Sequence, residues 1–237
     1  ERVWSMKGLK KKIHGGETLL GCFLNLGSSV SAEIVGSAGF DWVLIDFEHG
    51  SGSELEVLHQ LQALEAHGAA SIVRVESCQR QRIHRVLDFG AEGIMVPRIE
   101  TPGEAELAVK AMRFQPEGLR GVAKLNRASG YGTDFEKYLE SGQHEIVGVI
   151  QIETAESLRH LDEIASIDGV DVLFVGPLDL STALGVSQQW DHPLFLDALA
   201  RTAQAALRAG KAAGALLFSP EEFRKYLELG YRFIACG

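Results

Sequence analysis

Several ionisable residues of this 237-residue chain directly follow apolar runs instead of lying in polar loops. The clearest case is DWVLIDFEHG at 41–50, where the run ends in Asp46, Glu48 and His49. A short run rich in β-branched and aromatic residues is typical of a buried strand. Because unpartnered buried carboxylates are costly, three ionisable groups at the end of such a run indicate either chemistry or mutual pairing.

Three other apolar runs also deliver polar side chains. Arg74 lies in SIVRVE, Gln151 and Glu153 lie in VIQIET, and Asp179 lies in VGPLDLS just past a Gly-Pro turn. Glu153 and Asp179 together suit Mg²⁺ or Mn²⁺, with Co²⁺ as a further candidate, because such cations are held by few protein carboxylates plus water and substrate oxygens. A 2-oxo acid chelated by that metal would be polarised, and the metal would stabilise its enolate.

The remaining groups complete this hypothetical chemistry. Arg74 would hold the developing negative charge from the side opposite the metal. His49 would carry the proton, because the ordinary pKa of histidine lies near working pH. Asp46 and Glu48 are expected to orient the loop by hydrogen bonds or ion pairs, and Asp46 could also assist His49 directly. The glycines at 50 and 52 would let the chain turn sharply into the next helix.

The elements that must position these residues alternate between strand and helix. Eight strands are predicted, at 18–26, 41–47, 71–75, 93–99, 146–152, 171–176, 213–218 and 231–236. Helical patterns are predicted at 30–38, 53–67, 78–89, 103–112, 155–166, 193–210 and 220–229. Several begin after Ser, Thr or Pro, as helix N-termini do. The long connection 114–145 has RASGYG at 127–132 as its most loop-like part.

Eight near-continuous apolar strands alternating with helices favour a parallel sheet closed on itself. We therefore predict one (β/α)8 TIM-barrel domain over residues 1–237. An open dinucleotide-binding sheet would require GxGxxG after its first strand, where this chain has NLGSSVS. No sequence remains after strand eight to form an eighth helix, so that helix is expected either beyond residue 237 or replaced by a neighbouring subunit.

In such a barrel the predicted site residues meet at one rim, because barrel enzymes work at the carboxyl ends of their strands. Each residue alone is as well explained by a satisfied salt bridge. The arrival of a base, a cation and carboxylates at the same rim from four strands favours a catalytic role over isolated salt bridges. None of the predicted strands contains lysine. Schiff-base chemistry from a strand lysine is therefore excluded, and carbanion chemistry would rely on a metal.

Composition excludes several other classes of partner. The net charge of −9 and the small run Lys10-Lys11-Lys12, which resembles a solvated helix face, argue against nucleic acid or an anionic membrane. Apolar runs are too short for a membrane span. The three cysteines are too few and too scattered for a disulfide framework. They are expected as buried, reduced thiols, and the predicted location is cytoplasmic.

An ordered set of motifs resembles the HpcH/HpaI family of metal-dependent, class II pyruvate aldolases. The motifs are DFEHG, IVRV, GIMVP with a following ET, RFQPEGLRGV, QIET and VGPLDLS. The likeness covers about residues 18–237 and is greatest to the 2-keto-3-deoxyglucarate and 4-hydroxy-2-oxoheptanedioate aldolases. Each motif alone is weak evidence, but their order together is specific.

The resemblance implies roles for particular residues. It makes His49 the proton acceptor, Arg74 the stabiliser of the transition state, and Asp88 an acid that raises the basicity of His49. It makes Glu153 and Asp179 the metal ligands. Substrate contacts are implied for a further set: Gln151, Gly176, Pro177 and Leu178.

Two positions depart from the family pattern. A small residue is usual where this chain has Leu178, whose backbone N–H would contact the pyruvate carboxylate. Because the leucine side chain is larger, the identity of the aldehyde substrate is left open. Arg98 replaces an apolar residue and is read either as a substrate contact or as an interface ion pair.

The predicted function is reversible aldol cleavage of a 4-hydroxy-2-oxo acid to pyruvate and an aldehyde of the semialdehyde type. Two alternatives are a citrate-lyase-β-like acyl-CoA lyase and a non-catalytic barrel that binds a metabolite. The family's habit of exchanging C-terminal helices implies a homohexamer, a trimer of dimers, with residues 213–237 near a subunit contact.

Overall fold

A closed barrel of eight parallel strands is the centre of the fold. The computed structural model describes residues 7–237, and neighbouring strands pair in sequence order until the eighth pairs with the first. The strands are β1 (Leu19–Leu24), β2 (Trp42–Asp46), β3 (Ala70–Arg74), β4 (Gly93–Val96), β5 (Val147–Ile152), β6 (Val172–Val175), β7 (Ala212–Leu216) and β8 (Phe233–Cys236). The predicted (β/α)8 barrel and all eight of its strands are confirmed.

Helices alternate with these strands and cover the barrel. The α-helices are α1 (Leu9–His14), α2 (Ser29–Ser37), α3 (Glu54–Glu65), α4 (Arg80–Asp88), α5 (Pro102–Met112), α6 (Phe135–Lys137), α7 (Gln143–Glu145), α8 (Leu161–Ser166), α9 (Pro177–Ala183), α10 (Pro193–Arg208) and α11 (Phe223–Leu229). Residues 7–237 also contain short segments of other helix types, at Arg127–Gly132, Tyr138–Gly142 and Pro220–Glu222. Within residues 7–237 no helix combines the length and hydrophobicity of a membrane span.

Several helices begin where the sequence predicts. Ser53 and Glu56 form a capping box at the start of α3, and Thr101 and Glu104 form another before Pro102 opens α5. Such caps satisfy backbone N–H groups that have no partner in the first helical turn, and each typically contributes about 1 kcal/mol.

The structure corrects other helix predictions. The predicted helix 155–166 is helical only from Leu161, after a run of turns, and RASGYG contains 3-10 turns interrupted by non-helical residues at 129–131. Helix α9, which carries Asp179 just past the Gly-Pro turn, has no counterpart among the predicted helices. The Gly-Pro pair, which the sequence predicts to be a turn, is the N-terminus of this helix, where proline is favoured in the first turn.

The barrel interior is filled by alternate strand residues that point inward, because side chains along a strand alternate between its two sides. Trp42 lies at the centre and stacks on Phe233 with ring centroids 4.0 Å apart. Its indole occupies the place where a side chain on Gly21 would lie: a Cβ there would fall 2.2 Å from the ring. The interior is therefore a packed core that supports the rim above it.

Helix α1 closes the opposite end of the barrel. Its Leu9 and Ile13 join the interior cluster. Lys10 and Lys12 do not form the purely solvated face that the sequence indicates. Instead, Lys10 pairs with the buried Asp171 at 3.2 Å, and Lys12 pairs with Asp41 at 3.2 Å.

The prediction of buried thiols is also only partly right: the three cysteines are free, but Cys236 is exposed and the other two are half-buried.

Candidate active site

A cavity of about 210 Å³ opens at the carboxyl ends of the strands. The polar side chains of its lining come from several strands and the loops that follow them: Asn25, His49, Arg74, Gln151 and Asp179. Its apolar side chains are Phe23, Phe174, Pro177, Leu178, Leu216 and Phe218, with Gly176 and Gly237 completing the wall. All the predicted site residues except Glu153 and Asp88 line this cavity. The prediction of one shared rim is correct for them.

Arg74 is held at the end of β3 by carboxylates from the end of β2. Its Nε donates to Asp46 Oδ1 at 2.9 Å and its Nη2 donates to Asp46 Oδ2 at 2.7 Å. Its Nη1 also lies 3.3 Å from Glu48 Oε2. Burial disfavours the Arg74 cation, but the hydrogen bonds and charge of Asp46 outweigh burial and raise the pKa of Arg74. The guanidinium is therefore a fixed, charged group in the cavity wall.

The turn after β2 is organised by the same carboxylate. Asp46 Oδ1 accepts the backbone N–H groups of Glu48 at 3.1 Å and His49 at 3.3 Å, and its Oδ2 accepts Nδ2 of Asn25 at 2.5 Å. A Cβ on Gly50 would lie 2.1 Å from the Asp46 carbonyl oxygen, so the turn requires glycine there. The predicted orienting role of Asp46 and Glu48 is confirmed. Asp46 meets the backbone of His49 and not its ring.

The His49 ring stands at the mouth of the cavity. Its side chain is 66 % exposed, and its Nε2 lies 3.8 Å from Glu48 Oε2. Burial raises the pKa of Glu48, while the charges of Arg74 and His49 oppose this rise. An exposed imidazole beside a carboxylate can accept a proton from a substrate and exchange it with solvent.

Glu153 lies just beneath the cavity, at the end of β5. It is 4 % exposed, and its Oε1 accepts the backbone N–H of Arg98 at 2.6 Å. Burial raises the pKa of Glu153 to about 7 against the Arg98 hydrogen bond; the charges of Asp179 and Glu48 add to this rise, and the charge of Arg74 opposes it. A buried carboxylate whose nearest charged neighbours include two other carboxylates has a clear electrostatic deficit that a cation would correct.

The Gly-Pro turn after β6 brings the rest of the site together. A Cβ on Gly176 would lie 2.7 Å from Gln151 Nε2 and 2.8 Å from Glu153 Oε2, so glycine leaves room for both side chains. Pro177 then starts α9, whose first turn carries Asp179 at the cavity edge. Gln151 is 3 % exposed, and its Oε1 has no hydrogen-bond partner within residues 7–237. A buried polar atom left unpaired at a cavity indicates a place for a polar ligand.

The donor set fits a hard divalent cation. Glu153 and Asp179 interact electrostatically across the turn, and the buried Gln151 has an unpaired amide oxygen. In the part of the chain that the structure describes, no group of three or more His, Cys, Asp or Glu side chains forms a metal-binding cluster. Two carboxylates without a third such ligand suit Mg²⁺ or Mn²⁺, which keep several positions for water and substrate, better than structural zinc.

Comparison with known proteins identifies the family of this chain. The sequence model described as HpcH/HpaI aldolase/citrate lyase matches residues 19–237. The chain belongs to this family. It is 39 % identical to the hydroxypyruvate/pyruvate aldolase of Roseobacter denitrificans over 227 residues, which is 95 % of this chain and 88 % of that protein. It is also 39 % identical to the 4-hydroxy-2-oxo-heptane-1,7-dioate aldolase of Klebsiella pneumoniae over 229 residues, covering 96 % and 86 % of the two chains.

A solved structure confirms the fold of this HpcH/HpaI barrel. The crystal structure of a family protein from Burkholderia cenocepacia superposes with a TM-score of 0.93 at 38 % identity, covering 97 % of this chain and 92 % of the other. The resemblance stated from sequence motifs is therefore correct. Together with the aldolase names of its relatives, it makes the protein a carbon–carbon lyase.

Asp88 lies apart from the cavity of this HpcH/HpaI barrel. It ends α4, and its Oδ1 accepts Nη2 of Arg120 at 2.8 Å. Arg120 is itself buried, with its guanidinium over the rings of Phe114 at 4.6 Å and Tyr138 at 5.3 Å. No hydrogen bond or ion pair joins Asp88 to His49 among residues 7–237. The role of Asp88 in raising the basicity of His49 stays a prediction.

Sequence reasoning missed several residues of the site. Asn25 supports Asp46, and apolar side chains from β1, β6 and the region around β7 form one wall: Phe23, Phe174, Leu216 and Phe218. Nothing marks these residues as functional in the sequence, because aromatic and aliphatic residues in strands are ordinary core positions. The backbone N–H of Arg98 donates to Glu153, and the Arg98 side chain is exposed. Its two predicted roles, a substrate contact or an interface ion pair, stay predictions.

Proposed function

We propose that this protein catalyses the divalent-metal-dependent, reversible aldol cleavage of a 4-hydroxy-2-oxo acid to pyruvate and an aldehyde of the semialdehyde type. The observation that carries this proposal is the convergence of Glu153, Asp179, Arg74 and His49 around one small cavity. The names of the relatives, which are aldolases of hydroxy-oxo acids or pyruvate, support the same reaction class.

Glu153 and Asp179 would hold the cation, and Gln151 would contact the 2-oxo acid beside it. When bound, the cation supplies Lewis-acid charge that polarises the keto oxygen of the substrate. The backbone N–H of Leu178, in the first turn of α9, would receive the substrate carboxylate, since the orphan N–H groups of a helix start favour anions.

Arg74 would stabilise the negative charge that develops on the substrate, and His49 would transfer the proton. Asp46 holds the Arg74 guanidinium in one orientation, so its positive charge faces the cavity before negative charge develops there. His49, at the mouth, would take the proton from the C4 hydroxyl group during cleavage and return it during condensation. The apolar wall around Phe23 and Phe218 would accept the aldehyde and limit water near the carbanion.

Deuterium exchange into the methyl group of pyruvate, followed by NMR in D2O, tests this proposal. We expect exchange in the presence of Mg²⁺ or Mn²⁺ and its loss after chelation. Exchange into an acetyl thioester with none into pyruvate would favour an acyl-CoA lyase, and no exchange into either would favour a non-catalytic barrel. His49→Ala should greatly reduce aldol cleavage while preserving metal affinity. An equal loss of metal affinity would make His49 a ligand.

An aldehyde panel then addresses specificity. It should compare a semialdehyde with an apolar aldehyde of equal length, because the exposed Leu178 and Phe218 at the cavity mouth are apolar. A cytoplasmic location and a homohexameric assembly, both expected from the sequence, belong to the same proposal. The three free cysteines support a reducing compartment.

A further inference from the structure

The backbone of Arg98 adopts a conformation that is unfavourable for its residue type. It follows β4 and has a φ of 51°, in the left-handed region. Within residues 7–237 only two other non-glycine residues, Tyr131 and Gln188, have a positive φ. A Cβ crowds the backbone in this region, and glycine is the residue that tolerates it. Strain of this kind persists where the surrounding structure requires it, and often at functional sites.

This conformation directs the Arg98 N–H into the active site. The N–H donates to Glu153 Oε1 at 2.6 Å, while the arginine side chain is exposed. Glu153 is almost fully buried, so a hydrogen bond to its charged carboxylate is strong and directional. One carboxylate oxygen is thereby fixed. The other, Oε2, lies toward Gly176, where the absence of a Cβ leaves space.

We propose that Arg98 is a positioning residue whose left-handed backbone, and not its guanidinium, orients the Glu153 carboxylate for the divalent cation. This inference rests on the proposed function, because it takes Glu153 as a metal ligand. A partner that orients a metal-binding carboxylate is typically worth about 10-fold to 100-fold in metal affinity. Orienting Glu153 in this way requires left-handed backbone dihedral angles and a backbone N–H at residue 98, and not a particular side chain.

A substitution series at residue 98 separates the backbone from the charge. Arg98→Gly and Arg98→Ala both remove the guanidinium, but glycine adopts the left-handed region freely and alanine adopts it about as well as arginine. Arg98→Val also removes the charge, and its β-branched side chain is a true outlier at positive φ. The measured quantity is the Kd for Mn²⁺ of the purified protein, from the electron paramagnetic resonance signal of free Mn²⁺. No activity measurement is needed.

We expect Arg98→Gly and Arg98→Ala to bind Mn²⁺ within about threefold of the wild type, and Arg98→Val to bind about 10-fold to 100-fold more weakly. If Arg98→Val does not fold, Arg98→Thr replaces it. Wild-type affinity in the β-branched variant would overturn the inference. So would equal weakening in the glycine, alanine and β-branched variants, because the guanidinium would then be the essential group.

Two controls complete the test. Tyr131→Val places the same kind of strain at a residue with a φ of 55° whose N–H donates to Asn126 and not to Glu153. It should lower Tm without changing the Kd for Mn²⁺, and an equal change in Kd would show that strain alone weakens binding and overturn the inference. Glu153→Gln should weaken binding by at least as much as Arg98→Val. Unchanged binding in Glu153→Gln would instead contradict the metal placement in the proposed function.

Discussion

Asp46 and Arg74 occupy neighbouring strand ends and face each other through two hydrogen bonds of 2.7 and 2.9 Å. Their side chains are 0 % and 10 % exposed, and the backbone register of β2 with β3 places the two residues directly opposite. The same carboxylate also accepts the N–H groups of the turn that carries His49. The buried Asp46 carboxylate therefore orients both the Arg74 guanidinium and the turn that carries His49, the predicted proton carrier.

Replacing Asp46 should destabilise the fold as well as reduce activity. Asp46→Asn takes from the buried Arg74 cation the carboxylate that accepts two of its hydrogen bonds, and breaking such a pair typically costs about 3 kcal/mol even though Glu48 stays nearby. Urea unfolding of the metal-free protein measures this loss. Asp162→Asn is a matched control, because it breaks an exposed ion pair with Arg208 and should change stability by less than about 1 kcal/mol. Equal stability of Asp46→Asn and the wild type would refute the structural role.

The contribution of Asp46 should depend on pH in a defined direction. Burial alone raises the pKa of Asp46, but the hydrogen bonds and charge of Arg74 outweigh it and hold that pKa below the ordinary value of 3.8. A carboxyl group with a depressed folded-state pKa stabilises the protein above its unfolded-state pKa and loses this effect as pH falls through the folded-state value. The difference in unfolding free energy between the wild type and Asp46→Asn should therefore be full at about pH 6 and smaller at about pH 3. A difference that grows on acidification would contradict this assignment.

Activity should require a metal and form no Schiff base. No lysine lies in any of the eight strands observed within residues 7–237, so no amine projects from the barrel wall into the cavity. Chelation with EDTA should abolish aldol cleavage, and added Mn²⁺ should restore it. Asp179→Asn should weaken metal binding severely, because it removes one of the two anionic ligands that we propose. Trapping of a pyruvate adduct by borohydride would overturn the mechanism.

Arg74 should act on the step that forms the carbanion. Arg74→Ala should reduce both pyruvate deuterium exchange and aldol turnover, by about two to three orders of magnitude, since such a charge-stabilising contact is worth roughly 3 to 4 kcal/mol. Arg74→Lys should recover only part of each rate, because an ammonium group cannot reproduce the paired contact with Asp46. A variant that loses aldol turnover but keeps wild-type exchange would place Arg74 outside this step.

We also predict a homo-oligomer that assembles through apolar outer surfaces. Leu20 of β1 is 42 % exposed, and Val30 and Ile34 on α2 are 63 % and 64 % exposed. Apolar groups clustered on a surface are typical of subunit contacts. Light scattering at micromolar concentration should give a mass several times the chain mass of 25.8 kDa, with the hexamer as the expected state. A stable, active monomer would contradict the prediction.

Local sequence patterns are sufficient to predict the barrel and the rim of the active site. Near-continuous apolar runs such as those in β2 and β5 can be buried on both sides only in a parallel sheet covered by other elements. Polar residues at the ends of those runs must then meet at the carboxyl edge. His49, Arg74, Gln151 and Asp179 follow from this local order alone.

The way in which those residues are held depends instead on contacts between distant parts of the chain. The contacts of Asp46 with Arg74 and of Arg98 with Glu153 join residues 28 and 55 positions apart, and they depend on strand register and on one left-handed backbone residue. The apolar wall at Phe23 and Leu216 likewise consists of ordinary strand residues until the barrel closes. Local sequence patterns report periodicity and burial, whereas these contacts arise from long-range packing that no local pattern encodes.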